Sequence, residues 1–167
     1  MLALGDGALA GFSSLKNEII FVPPFEIEYR LIITKKHGRP PIRLIARFAR
    51  AGHPAPLRVR RTIGEVQTVA SGEGSGGPAM GLIPNAQFKT TEAKLAPGDF
   101  LLFFTDGVVE VENKAGSDFG IEGLRQSIRS NLDQPTESLL EAIIGDVYKF
   151  ADSTVLTDDA CLVAAEL

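Results

Sequence analysis

The chain contains one cysteine, Cys161, two histidines, His37 and His53, and no tryptophan in 167 residues. A single thiol excludes an internal disulfide framework and a multi-cysteine zinc site. Two histidines argue against a histidine-rich metal centre. With those donors scarce and 21 acids present, any bound metal would be held by oxygen, the donor that suits hard cations. Positive charge is not in excess either: 17 Lys and Arg against 21 Asp and Glu give a net charge of −4, with a pI near 5.2. A binder of phosphate backbones carries the opposite bias, so no nucleic-acid partner is expected. No apolar run approaches the ~20 residues of a membrane-spanning helix. Residues 1–11 hold no Lys or Arg and include Asp6, unlike the basic start of a secretory signal. The expectation is a cytoplasmic chain with no membrane partner.

What is present is ordinary for a folded domain: 44% hydrophobic and 23% charged residues. The length predicts one domain, residues 1–167. A short apolar run at 19–22 ends at Pro23-Pro24. Alternation at 27–33 and again at 42–48 predicts two strands around a turn-rich loop at 37–41, hence a hairpin. Residues 57–61, 65–70 and 88–95 read as further strands, and residues 71–78 (SGEGSGGP) as a mobile loop. The unbroken apolar run Phe100–Phe104 predicts a strand buried on both faces. Helical spacing then takes over at 121–132, weakened by Gly123, and at 137–151, where Pro135 and Glu137 suit a first helical turn. The apolar face Leu140, Ile143, Ile144 and Val147 is expected to pack on a sheet. A last strand at 160–165 completes an α+β order with mainly antiparallel sheet.

Two acidic spots share a position. Asp106-Gly107 follows the buried run, and Asp158-Asp159 precedes the last strand. A rigid strand holds its terminal side chain well, and Gly107 permits close approach of backbone or ligand. The spots lie 158 − 106 = 52 positions apart, so only the fold can unite them. If united, they form an oxygen site for Mg²⁺ or Mn²⁺. Taken singly, Asp-Gly and Asp-Asp are also ordinary turn chemistry.

The run LAPGDFLLFFTDGVVE at 95–110 resembles a hallmark of the metal-dependent (type 2C, PPM) protein serine/threonine phosphatases, most closely their SpoIIE-like bacterial branch. In the same order, AGHPAPL at 51–57 is similar to the branch's AGHPP segment, and GPAMGL at 77–82 to its Gly-Leu loop. FGIEGL at 119–124 resembles the start of its late helix, and TDDACLV at 157–163 its closing strand, with Cys161 where threonine is usual. The resemblance covers about 46–167 and leaves 1–45 divergent.

The resemblance implies an antiparallel β-sandwich flanked by helices, incomplete on its N-terminal side, with two Mn²⁺ or Mg²⁺ ions at one end. Asp106 and Asp158 would be the metal ligands, acting in catalysis through metal-activated water. The reaction implied is hydrolysis of phosphoserine or phosphothreonine on a regulatory protein, the branch's usual substrates being STAS-domain anti-sigma-factor antagonists in stress signalling. Further ligands would be Asp159 and the pair Asp6 and Gly7, the one match to the family's front Asp-Gly motif. The first acidic hairpin and the long early helices have no counterpart in residues 1–45, so the alternative is a catalytically inactive remnant that acts by binding a partner. No substrate-binding residue is identified. His53 reads as a turn residue, Cys161 as core packing and Asp99 as a turn acceptor. Arg43, Arg47, Arg58, Arg60 and Arg61 either attract a phosphoprotein or line solvated strand faces.

Overall fold

A computed structural model of the chain describes residues 11–15, 18–22, 32–36, 43–69, 76–153 and 155–166. Asp6, Gly7, residues 27–31 of the first expected strand, the 37–41 loop and most of the 71–78 loop lie outside the described residues. The elements run β1 (Gly11–Leu15), β2 (Glu18–Val22), β3 (Ile32–Lys36), β4 (Arg43–Phe48), β5 (Leu57–Arg60), β6 (Glu65–Thr68), β7 (Thr91–Leu95), β8 (Asp99–Phe104), α1 (Asp106–Val109), α2 (Gly120–Ser130), α3 (Thr136–Ala151) and β9 (Leu162–Glu166).

Every strand pair is antiparallel among the described residues. β1 and β2 form a hairpin of their own, β3-β4-β7 a three-stranded sheet, and β6-β5-β8-β9 a four-stranded sheet. The β3–β4 hairpin follows the alternating pattern, but β3 continues past Ile33 because Lys35 and Lys36 pair with Leu44 and Arg43. β7 starts at Thr91 rather than Phe88. The Phe88 ring instead lies against Gly77, where a side chain would collide with it.

β8 explains the layering. All six of its residues are buried. Leu101 and Phe103 pack with Ala46, Phe48, Ala93, Leu95 and Val163 between the two larger sheets. Phe100, Leu102 and Phe104 face the other way, into a core closed by Leu124 and Ile128 of α2 and by Leu139, Leu140, Ile143 and Val147 of α3. The result is sheet, sheet, helices: an antiparallel sandwich with helices on one face. Each fully buried side chain of this size contributes about 1.5–3 kcal/mol, which is why a strand with no polar face is stable here. The expected face of α3 is the buried one, and Ile144 flanks it, partly buried. α2 ends at Ser130, short of 132, because Asn131 leaves helical geometry at φ −122°.

The arginines are mostly engaged in structure. Arg47 pairs with Glu92 across the β4–β7 ladder at 2.6 Å. Arg58 donates to the Lys94 carbonyl of the opposite sheet at 3.1 Å and to Gln67 at 2.7 Å. Arg60 pairs with Glu65 at 3.1 Å and lies 3.8 Å from Asp99. Asp99 accepts the Ala96 amide at 3.0 Å, the turn role expected of it.

Arg61 ties the helices to the sheet. Its guanidinium donates to the carbonyls of Leu132 and Gln134 and to the Thr136 hydroxyl, and it sits 5.0 Å from the centroid of the Phe100 ring. Arg61→Ala leaves the α2–α3 connection without these donors and is expected to cost about 1.5–3 kcal/mol, the range for hydrogen bonds to charged groups. Arg61→Lys recovers only part of it, since an ammonium lacks the planar fork. Urea denaturation of the two variants checks both values.

Candidate active site

Strand register gathers the loops at one end of the molecule. Phe104 at the close of β8 pairs with Leu162 at the start of β9. Leu57 at the start of β5 pairs with Leu102 and with Thr68, the last residue of β6. In the other sheet Phe48 and Thr91 end β4 and begin β7, and Phe48 meets Phe103 edge-to-face at 5.9 Å. The segments 49–56, 76–90, 105–107 and 157–161 therefore emerge at the same end.

The two acidic turns meet there. The Thr105 amide donates to the Cys161 carbonyl at 3.2 Å, continuing the β8–β9 ladder by one residue. The Thr105 hydroxyl donates to the Asp159 carbonyl at 2.9 Å and accepts the Cys161 amide at 3.0 Å. Beyond it the chain turns at once into α1, with the Val108 amide on the Thr105 carbonyl at 3.1 Å and the Glu110 amide on the Asp106 carbonyl at 2.8 Å. Gly107 is pressed onto the Asp159 backbone: a Cβ there would lie 2.5 Å from the Asp159 oxygen. Glycine at this position is required by close approach, not by backbone dihedrals.

Asp106, Asp158 and Asp159 are all exposed. Oδ1 of Asp106 accepts the Gly107 amide at 3.1 Å, and Oδ1 of Asp158 accepts the Asp159 amide at 2.8 Å. Each carboxylate thus retains an oxygen that no neighbouring amide occupies. Asp159 meets the 105–107 turn through its backbone carbonyl. Thr105 was missed by sequence reasoning. Its only signal was a hydroxyl placed between a buried apolar run and an aspartate, a pattern with no meaning until its distant partner is known.

A second pair of loops is zipped nearby. The Gly52 amide donates to the Gly77 carbonyl at 3.0 Å and the Gly77 amide to the Arg50 carbonyl at 3.1 Å, joining the 51–57 and 77–82 segments. His53 is held in this turn, with Nδ1 3.3 Å from the Ala51 carbonyl. The loop beyond exposes Leu82 and Ile83, at 72% and 53% of their surfaces. Burial raises the Cys161 thiol pKa, and the side chain packs beside the inter-sheet core.

The donor set suits a hard cation. Mg²⁺ commonly takes one or two carboxylates and fills its remaining positions with water or phosphate oxygens; Asp106 and Asp158 would supply that number. Among the described residues there is no group of three or more His, Cys, Asp or Glu that could hold a metal. A second ion would therefore need donors such as Asp6 and Gly7, which lie outside them. Among the described residues, no helix is long and apolar enough to cross a membrane.

Comparison with known proteins places this architecture. The chain is 31% identical over 90 residues to Protein IcfG of Synechocystis sp., covering 54% of this chain and 14% of that protein. The SiaA-PP2C domain of Pseudomonas aeruginosa superposes with a TM-score of 0.59 at 20% identity, over 75% of this chain and 51% of that domain. The manganese-presoaked phosphatase domain of the cell-fate determinant SpoIIE from Bacillus subtilis superposes at 0.55 with 12% identity, over 82% and 56%. The RsbU and RsbW domains of Rv1364c from Mycobacterium tuberculosis superpose at 0.52 with 21% identity, over 74% and 34%. The chain thus spans about half of the two solved phosphatase domains and a smaller share of the longer relatives. Residues 40–167 match the family described as Stage II sporulation protein E, and the chain belongs to this SpoIIE family of PPM-type phosphatase domains.

Proposed function

We propose that this chain hydrolyses phosphoserine or phosphothreonine on a regulatory protein, with Asp106 and Asp158 holding Mn²⁺ or Mg²⁺ at the end of the sandwich. The observation that carries the reading is the junction of the two acidic turns, where Gly107 lies against Asp159 and the Thr105 hydroxyl bridges Asp159 and Cys161. When bound, the ion supplies Lewis acidity that activates water and neutralises charge on the phosphoryl oxygens. The protein's own part is positional. Asp106 follows β8 by one residue and the turn carrying Asp158 leads into the neighbouring strand β9, which supports a shared site at this exposed end. Exposed Leu82 and Ile83 at that end suit a protein surface better than a small solute. The branch resemblance adds the substrate class, a phosphorylated STAS-domain anti-sigma-factor antagonist in the cytoplasm.

The test is hydrolysis of a phosphoserine peptide with Mn²⁺, comparing the chain with Asp106→Ala and Asp158→Asn. Each substitution is expected to reduce turnover to the uncatalysed background. Each should change folding stability by less than about 1 kcal/mol, because the carboxylates are exposed and make one local bond each. Turnover indifferent to Asp106→Ala removes the metal assignment. Absence of turnover and of Mn²⁺ binding in the parent chain turns the reading to a partner-binding domain.

A further inference from the structure

We infer that Thr105 is a positioning residue for the acidic pair: its hydroxyl sets the 157–161 turn against Asp106 and so determines how well the two carboxylates share a cation. This rests on the proposed metal role of Asp106 and Asp158. Three features of the site support it. The hydroxyl both donates and accepts, giving its proton to the Asp159 carbonyl at 2.9 Å and accepting the Cys161 amide at 3.0 Å. Those two groups lie on the segment that leads from Asp158 into β9, while Thr105 itself is covalently joined to Asp106. And β9 begins only at Leu162, so between Asp158 and the ladder the turn depends on Thr105 and on the Gly107–Asp159 backbone contact.

The pair of bonds acts in one direction each. As donor, Thr105 draws the Asp159 carbonyl toward β8. As acceptor, it satisfies the amide of Cys161 in place of a ladder partner. Losing the hydroxyl leaves the Cys161 amide and the Asp159 carbonyl to find water instead, and the turn then keeps only the Thr105 amide bond to the Cys161 carbonyl and the Gly107 contact to hold it beside Asp106. Groups that orient metal ligands without touching the metal commonly change affinity by about 10- to 100-fold when removed.

The experiment uses the full chain, with Mn²⁺ alone as the probe. Thr105→Val keeps the shape and deletes the hydroxyl; Thr105→Ser keeps the hydroxyl. Ser127→Ala is a control for lost stability, since Ser127 bonds Asp146 at 2.6 Å between α2 and α3. Calorimetric Mn²⁺ binding is read beside thermal melting, and amide hydrogen exchange at Cys161 is read without metal. Thr105→Val is expected to weaken Mn²⁺ binding by about 10- to 100-fold and to speed exchange at Cys161. Thr105→Ser should restore most of both, and Ser127→Ala should melt earlier with its Mn²⁺ affinity intact. Parent-like affinity in Thr105→Val overturns the positioning role, whether or not exchange at Cys161 changes. A parent chain that binds no Mn²⁺, or binds it equally well after Asp106→Asn, overturns the metal reading and the positioning role with it, while exchange at Cys161 still shows whether the hydroxyl clip exists.

Discussion

Gly107→Ala is expected to destabilise the fold and to separate the acidic pair, while the same substitution at Gly145 stabilises. At Gly107 the new Cβ would lie 2.5 Å from the Asp159 oxygen, 3.0 Å from its carbonyl carbon and 3.4 Å from the Ala160 nitrogen. All three are backbone atoms, so no side-chain rotation relieves the overlap. The β9 approach must move away from α1, at an overpacking cost of about 1–3 kcal/mol, or about 2–4 °C of melting temperature per kcal/mol at this chain length. The movement opens the distance between Asp106 and Asp158, so Mn²⁺ binding falls together with stability. Gly145 lies inside α3, and a Cβ added there would have open space for 4 Å around it. There alanine removes only the conformational freedom of glycine, a gain of about 0.5–1 kcal/mol. Paired melting curves and Mn²⁺ titrations check the opposite signs; equal melting temperatures for the two variants would contradict the close approach at Gly107.

Phe103→Ala is expected to have the largest effect on stability, about 3–5 kcal/mol. Phe103 is 4% exposed and fills the space between the sheets together with Phe48, Leu101 and Val163. Its ring meets Phe48 edge-to-face at a 90° interplanar angle, an arrangement that contributes about 0.5–1.5 kcal/mol beyond burial. A domain of ordinary stability has about 5–15 kcal/mol in total, so this substitution removes a large share of it. Urea unfolding of Phe103→Ala, Phe48→Ala and the double variant should yield a coupling energy within the aromatic-pair range. Coupling near zero would mean that the two rings fill the core independently.

The expected α+β class was legible because its signals are local. Leu139, Leu140, Ile143 and Val147 recur at helical spacing, and the same residues are buried under α3. The run from Phe100 to Phe104 has no polar alternation, and the strand it forms is covered on both faces. Phe88 shows where local pattern misled. The sequence predicts a strand over 88–95, but Phe88 is out of phase with the buried Thr91, Ala93 and Leu95, its ring lies against Gly77, and the ladder begins at Thr91. The β1–β2 hairpin escaped the reading in part because β1 (GFSSL) carries little apolar alternation.

The sequence by itself determined which residues could carry chemistry. Scarce cysteine and histidine left carboxylates as the available donors, and the strand-end setting of Asp106 and Asp158 follows from the apolar runs beside them. The tertiary structure alone decided that the two turns meet. Their contact depends on the register of β8 against β9, Phe104 opposite Leu162, and on a threonine hydroxyl bridging residues more than fifty positions away. Periodicity reports which face of an element is buried, because burial is repaid locally by every side chain along it. It does not report which strand lies alongside, because that is settled by the whole core closing at once.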